Sequence, residues 1–342
     1  MKTIDNLKHI TKEEFNSDYY NKKPFLLKGG IRETSYYKKW TLDFLSDILG
    51  SKTVVVSSNM SGVYDYSDKG NVTKKQMSFA DAVDKVMDSK FGRSFYLTQT
   101  SLTENFPELM PDVQVSHLNT DEDHLNAPKL WIGGAGCVFQ LHYDHSHNFF
   151  SQLTGRKRIT FFSPDDKKYL YPNETFQDTH ISKIDYDNLD TKSYPLASKA
   201  TPYDCLVEPG DLLYIAPGWW HLVRSLDLSI SLNYWWERFD LIEGVNLEAL
   251  STEHLCQYIQ VFLEKGLSIQ HKDHTGEYLI VKAVHKGYLN VARAFLLLGT
   301  DPNSISQVIS PGSSLMEIAT KNRNLPMASL LEEFGAPVPS NV

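Results

Sequence analysis

Between about residue 130 and residue 236 the chain carries five short runs in quick succession: "KLWIGG", "HNFFSQL", "KRITFF", "PGDLLYIAP" and "LSISLNYWW". Each is rich in β-branched or aromatic residues and is flanked by Gly, Pro, Asp or Ser, the residues that supply turn geometry. Short strands in such close order bury their apolar faces only against one another. The region is therefore expected to form a β sandwich or barrel.

The pattern differs on either side. Residues 1 to about 130 mix signals: "TLDFLSDILG" sets a Thr41 cap before Leu42, Leu45 and Leu49 and stops at Gly50, "SFADAVDKVM" reads as a second capped helix, and "KTVVVSS" and "SFYLTQT" read as strands. Beyond about residue 240 the chain becomes helical and repetitive. Gly276, Leu279, Ala283, Leu289, Ala292 and Gly299 recur 36 positions later as Gly312, Leu315, Ala319, Leu325, Ala328 and Gly335, and Phe262, Leu263 and Gly266 recur 33 positions later as Phe295, Leu296 and Gly299. That period is a solenoid signature, and "TGEYLIVKAVHKGYLNVARAFLLLGTDPN" resembles an ankyrin repeat. A helix over 252–265 would supply a partial third unit. Two domains are expected, 1–240 and 241–342, in a chain of 342 residues.

Composition narrows the setting. With 34 basic against 42 acidic residues, a net charge of -8 and no Lys/Arg run, the chain lacks the basic face that phosphate neutralisation requires, so nucleic acid is not the expected partner. Three cysteines without CxxC spacing point to a reducing compartment. The charged start "MKTIDNLKHITKEEF" and the absence of a long apolar run predict a soluble cytoplasmic protein with no membrane segment.

The stretch "QLHYDHSHNFF", residues 140–150, concentrates four candidate ligands: His142, Asp144, His145 and His147. In an extended strand residues i and i+2 share a face, so His142 and Asp144 project together while Tyr143 and His145 project oppositely. A neutral imidazole beside a carboxylate is two-thirds of the 2-His-1-carboxylate set that binds Fe(II). On its own such a pair equally fits a half-buried polar strand. A third ligand is offered by "EPGDLLYIAPGWWHLV", where two Pro-Gly breaks around an apolar strand return the chain to His221.

Taken together, "HYDHSHNFFSQLTGRKRITFFSP", "EPGDLLYIAPGWWH" and "SISLNYWW" resemble the JmjC oxygenases of the cupin superfamily, most closely the branch of the asparaginyl hydroxylase factor inhibiting HIF. "SFYLTQTSL" and "LWIGGAGCVFQLHYD" extend the likeness to roughly residues 20–240. The resemblance implies a mainly β double-stranded β-helix, a jelly-roll, holding Fe(II) through His142, Asp144 and His221, with 2-oxoglutarate and O2 as cosubstrates. It places Lys157 on the distal carboxylate of 2-oxoglutarate, a position that strand alternation grants only if Arg156 and Arg158 point outward. Tyr96, Asn148 and Asn233 match residues of the cosubstrate pocket, and Asn148 keeps the parity of His142 and Asp144 if the strand continues. Phe139 departs from the pattern, standing where the relative has a Thr that donates to the cosubstrate.

The implied reaction is hydroxylation of a protein side chain with release of succinate and CO2. Trp235 matches an aromatic residue beside the substrate. His180 and Ile181 replace an Arg-Gln pair that grips the target amide, and Thr98 replaces a nearby Gln, so the modified residue stays open among Asn, Asp, His, Lys and Arg. Two other readings stand beside this one: a JmjC lysyl or arginyl hydroxylase or demethylase (or one acting on tRNA bases), and a non-catalytic binding protein working through the ankyrin-like surface. The tail is expected to recruit protein partners, to dimerise, or to be modified itself at Asn303. His145 and His147, of opposite parity, read as rim residues near the substrate groove.

Overall fold

A computed structural model of the protein describes residues 2–65, 71–119, 123–125, 127–144, 146–173, 180–238, 252, 255–256, 259–260, 269–270, 272 and 277–337. The chain divides into two compact units, 1–237 and 238–342. The first is mainly β. In chain order its strands are β1 (Lys2–Thr3), β2 (Asp5–Leu7), β3 (Phe25–Leu27), β4 (Thr53–Ser58), β5 (Val63–Tyr64), β6 (Thr73–Ser78), β7 (Phe95–Ser101) and β8 (Asp123–Leu125). They continue with β9 (Lys129–Gly133), β10 (Val138–His142), β11 (His147–Thr154), β12 (Lys157–Phe162), β13 (Tyr203–Val207), β14 (Leu212–Ile215), β15 (Trp220–Ser225) and β16 (Ser229–Arg238).

One sheet has the order β1-β13-β12-β15-β10-β5 and the other β2-β3-β14-β11-β16-β9-β7-β4-β6, with β8 against β16. From β10 onward the chain passes back and forth between them, and the sequence's turn residues occupy the passages. Gly155, at φ 69°, sits at one such passage; a β-carbon there would fall 2.0 Å from the carbonyl oxygen of Leu228. β9, β10, β11, β13, β14 and β15 each end where the chain changes sheet, whereas β12 is followed by β13 in the same sheet.

Alternation along β11 settles what each sheet face meets. Asn148 and Phe150 face the cavity between the sheets. His147, Phe149 and Ser151 face outward, where the N-terminal segment covers them: Phe15 packs on Phe149 at 5.9 Å, and the Tyr36 hydroxyl lies 3.2 Å from Ser151 Oγ. His147 is therefore not a rim residue. It is 4% exposed, stacks on both Tyr20 and Trp236, and shares a 2.7 Å hydrogen bond through Nδ1 with the Tyr214 hydroxyl. Its parity is opposite to that of the site, as the sequence indicated, but that face is roofed by a layer which strand spacing does not reveal. His145 lies outside the described residues.

The helices at Leu42–Leu49 and Phe79–Met87 form with Thr41 and Ser78 as caps, each accepting a bond from a backbone N–H one turn on. In the second unit, helices span Leu279–Lys286, Leu289–Leu297, Leu315–Lys321 and Leu325–Glu333. Leu279 and Leu315, and Ala283 and Ala319, the pairs related by the 36-residue spacing, are all buried at equivalent places in the two helix pairs. The loop joining the pairs is gathered by the Glu277 carboxylate, which accepts from Ser306 Oγ and from the N–H groups of Gln307, Val308 and Ile309. Most of 252–265, expected to form a further helix, lies outside the described residues. Among the described residues no helix is long and apolar enough to cross a membrane.

Candidate metal centre

His142 ends β10, and His221, the second residue of β15, is its direct partner across the antiparallel pair. Asp144 follows two residues later in the turn before β11, where its carbonyl accepts from the N–H of Gly218 in the second Pro-Gly break. The carboxylate is therefore delivered by a turn, not by continued strand parity. One ligand atom from each of His142, Asp144 and His221 lies within 4.8 Å of the others. A register shift between Phe139 and His142 re-aims the end of β10, so that Phe139 and His142 both reach the cavity.

Both imidazoles are oriented by backbone carbonyls. His142 Nδ1 donates to the oxygen of Gln140 at 2.7 Å and His221 Nδ1 to that of Trp219 at 2.9 Å. Because a carbonyl only accepts, each Nδ1 carries a hydrogen, and Nε2 is the nitrogen turned toward Asp144 that would ligate a metal. His142 Nε2 lies 4.0 Å from Asp144 Oδ1 and His221 Nε2 3.8 Å from Asp144 Oδ2. Burial, and then the neighbouring His221, push the His142 imidazolium down to about 3. Burial would raise the Asp144 carboxyl, but His221 and His142, with hydrogen bonds from Trp235 and Asn148, hold it below the usual range. Two imidazole nitrogens and a carboxylate meeting at one point form a donor set suited to a divalent cation.

The triad lines a cavity of ≈ 520 Å³ whose walls include the buried Lys157 and Tyr96 and the exposed Lys74 and Glu104. Lys157 points into it while its neighbours face out, Arg156 to Asp227 and Arg158 to Asp204. Lys157 is 1% exposed, and its Nζ donates to the Tyr96 hydroxyl at 3.0 Å. Burial pulls its ammonium down to about 7. Opposite Tyr96 on β9 stands Gly133, where a β-carbon would come within 2.7 Å of the tyrosine ring; the absent side chain lets the ring lie across the strand.

Other predicted residues are also brought to this cavity. Asn148, Asn233 and Trp235 line it, but their polar atoms are engaged with one another and with Asp144. Thr98 lines the far arm and shares a 3.1 Å hydrogen bond with Ser57. His180 and Ile181 lie alongside β10: Ile181 bridges His142, the His180 carbonyl accepts from Tyr143 N–H, and Gln140 Nε2 donates to Ser182 O at 2.9 Å. Phe139 packs edge-on against Trp131 and His142 at 5.5 and 4.9 Å. Trp131 is the residue that sequence reasoning missed. Its signal was weak: it shares a face of β9 with Gly133.

Residues 11–241 match the family model for a cupin-like domain. The chain belongs to this cupin-like domain family. Its cupin domain is 32% identical over 236 residues to lysine-specific demethylase 8 of Xenopus tropicalis, spanning 67% of this chain and 52% of that protein. It is 34% identical over 232 residues to Jumonji C domain-containing protein 5 of Drosophila melanogaster, spanning 66% and 57%. A third relative, tRNA wybutosine-synthesizing protein 5 of Gallus gallus, is 31% identical over 313 residues, which is 84% of this chain and 96% of that protein. The chain thus spans about half the length of the first two relatives and nearly all of the third. The cupin domain is of the JmjC type these names describe, and the likeness to the asparaginyl-hydroxylase branch rests on individual residue matches alone.

Proposed function

We propose that the protein is an Fe(II)- and 2-oxoglutarate-dependent oxygenase that hydroxylates a polypeptide side chain. The observation that carries this reading is the pairing, in one enclosed cavity, of a two-histidine, one-carboxylate set with a buried lysine that has no carboxylate partner among the described residues. His142 Nε2, His221 Nε2 and an Asp144 oxygen would hold Fe(II). Lys157 and Tyr96 fit a carboxylate at the closed end, since a buried ammonium is stabilised by the anion it pairs with. With both bound, iron and 2-oxoglutarate supply the oxidation, converting 2-oxoglutarate and O2 to succinate and CO2 as one oxygen atom enters a substrate C–H bond.

The chain's own contribution is enclosure and aim. Lys157 and Tyr96 fix one end of the cosubstrate, the two backbone-bonded imidazoles fix the metal, and the apolar wall of Phe139, Ile181, Ile215 and Val223 excludes water from the reacting end. Toward the opening, Thr98, Ser57 and Glu104 present polar groups to the substrate. Ile181 offers no hydrogen bond to a side-chain amide, so recognition must come from other groups and the modified residue is not restricted to Asn. Hydroxylation at an N-methyl carbon in the same site would release formaldehyde, which is the demethylase form of the same chemistry. We read the C-terminal helix pairs as ankyrin-like units that recruit a protein partner or dimerise, in a cytoplasmic protein.

A second reading, a tRNA base as substrate, is favoured by the near full-length match to the wybutosine-synthesizing protein. The net charge of -8 weighs against it. Turnover under heavy oxygen with cell-lysate protein in one reaction and total tRNA in another separates the two. Label in peptides, an exposed Asn303 peptide among those to be searched, supports the polypeptide reading. Label in nucleosides alone overturns it.

A further inference from the structure

Asp144 receives two donors, and both are aimed at the same oxygen: Trp235 Nε1 at 2.8 Å and Asn148 Nδ2 at 3.2 Å from Oδ2. Behind Asn148 the bonding continues into the sheet. Asn148 Oδ1 accepts from Asn233 Nδ2 at 3.2 Å, and Asn233 Oδ1 accepts from Trp131 Nε1 at 2.5 Å. Register explains why these residues meet: Asn148 is the cross-strand partner of Trp235 on β16, and Asn233 and Trp131 project inward from β16 and β9. Beneath them the Phe139 ring packs against Trp131.

We propose that Trp131, Asn233 and Asn148 form a directional hydrogen-bond relay which, together with Trp235, positions Asp144 to bind the metal through Oδ1. Direction is enforced at both ends. An indole N–H only donates, so Asn233 must turn its oxygen to Trp131 and its nitrogen to Asn148. Asn148 then has to accept with its oxygen, which leaves its nitrogen to face Asp144. An ionised carboxylate only accepts, so the relay closes without a mismatched contact, and neither amide can flip without facing two like atoms. The two donors occupy the lone pairs of Oδ2. Oδ1 receives no hydrogen bond among the described residues and is the oxygen free to ligate. Asn148, Asn233 and Trp235 are thereby positioning residues for Asp144. Phe139 belongs to the same arrangement, because it buttresses the indole from which the relay starts.

This inference rests on the reading of the triad as a metal site, and Mn(II) titration of the full chain, followed by the EPR signal of free Mn(II), tests both separately. Trp235→Phe and Asn148→Leu should each weaken Mn(II) binding by about 10- to 100-fold, the usual effect of losing a group that orients a ligand. Trp131→Phe keeps a ring against Phe139 but removes the starting donor. It should weaken binding on its own, add nothing in the Asn148→Leu background where the relay is already cut, and multiply with Trp235→Phe, which acts on the same oxygen independently. Asn233→Asp still accepts from Trp131 but cannot donate onward, and should behave as a cut relay. Altered visible absorption of the Co(II)-loaded variants distinguishes repositioning of Asp144 from general loosening, which thermal melting would report. The relay is overturned if Trp131→Phe, Asn148→Leu and Trp235→Phe all bind Mn(II) within twofold of the native chain. It is also overturned if Trp131→Phe subtracts the same factor with and without Asn148. Should Asn148→Leu fail to fold, the two tryptophan variants and their double mutant carry the test. A native chain that takes up no Mn(II) overturns the metal site itself.

Discussion

Lys157 Nζ lies 3.0 Å from the Tyr96 hydroxyl in an enclosure where no described residue brings it a carboxylate. Burying an ammonium there is unfavourable, and it becomes favourable when an anion enters.

That relationship fixes a pH dependence. Burial lets Lys157 keep its proton only up to about 7 in the folded chain, against an ordinary value of 10.5. Between those values the unfolded chain binds more protons, so through this group the ligand-free protein gains stability as pH rises from about 7 toward 10.5. Lys157→Met should remove that slope. It should melt above the native chain at pH 7 without ligand, and lose the rise in Tm that 2-oxoglutarate gives the native chain. Differential scanning calorimetry over the pH range, with and without 2-oxoglutarate, checks each part.

Under turnover the same substitution should raise the KM for 2-oxoglutarate roughly 10- to 100-fold, the worth of a charge-assisted hydrogen bond. Tyr96→Phe removes only a neutral partner and should raise it about fivefold. Equal effects of the two would show that Lys157 is not the cosubstrate's charge partner.

Phe139→Thr offers the cosubstrate a donor but empties the space that Phe139 fills against Trp131 and His142. The gain is about one hydrogen bond, ~1 kcal/mol, or about a fivefold lower KM for 2-oxoglutarate. The loss is a cavity costing on the order of 2–4 kcal/mol of stability. Steady-state kinetics and urea unfolding should move in opposite senses.

His147→Ala separates core from site. It removes a ring stacked on both Tyr20 and Trp236 and one hydrogen-bond partner of the Tyr214 hydroxyl, which keeps the Asn21 N–H, so it should cost on the order of 2–4 kcal/mol in urea unfolding. Affinity for Mn(II) should stay within about twofold of the native value. A collapse in affinity would mean that the histidine cluster works as one ligand group.

Much of the site can be read from the sequence because its motifs resemble a known family, while strand spacing and turn residues alone reach only part of it. His221 after a Pro-Gly turn is a turn-residue inference, whereas Lys157 is assigned by the family resemblance, with alternation admitting it only if both neighbouring arginines point outward. The sequence is silent where spacing breaks down. The shift between Phe139 and His142 and the turn that delivers Asp144 reset the count of alternation, so one rule could not sort the ligand-rich stretch around them. His147 looked exposed because the N-terminal layer over β11 is distant in sequence. The relay from Trp131 depends on β9, β11 and β16 lying side by side, and pairing of that kind leaves no local pattern.

The central claim is most directly tested by measuring 2-oxoglutarate consumption against succinate and CO2 release by the purified chain in the presence of Fe(II) and O2, beside Asp144→Ala. The account predicts iron-dependent, one-to-one conversion by the native chain, accelerated by substrate, and none by the variant. Iron-loaded native protein that consumes no 2-oxoglutarate with or without lysate protein or tRNA, or a variant that consumes it at the native rate, would contradict it.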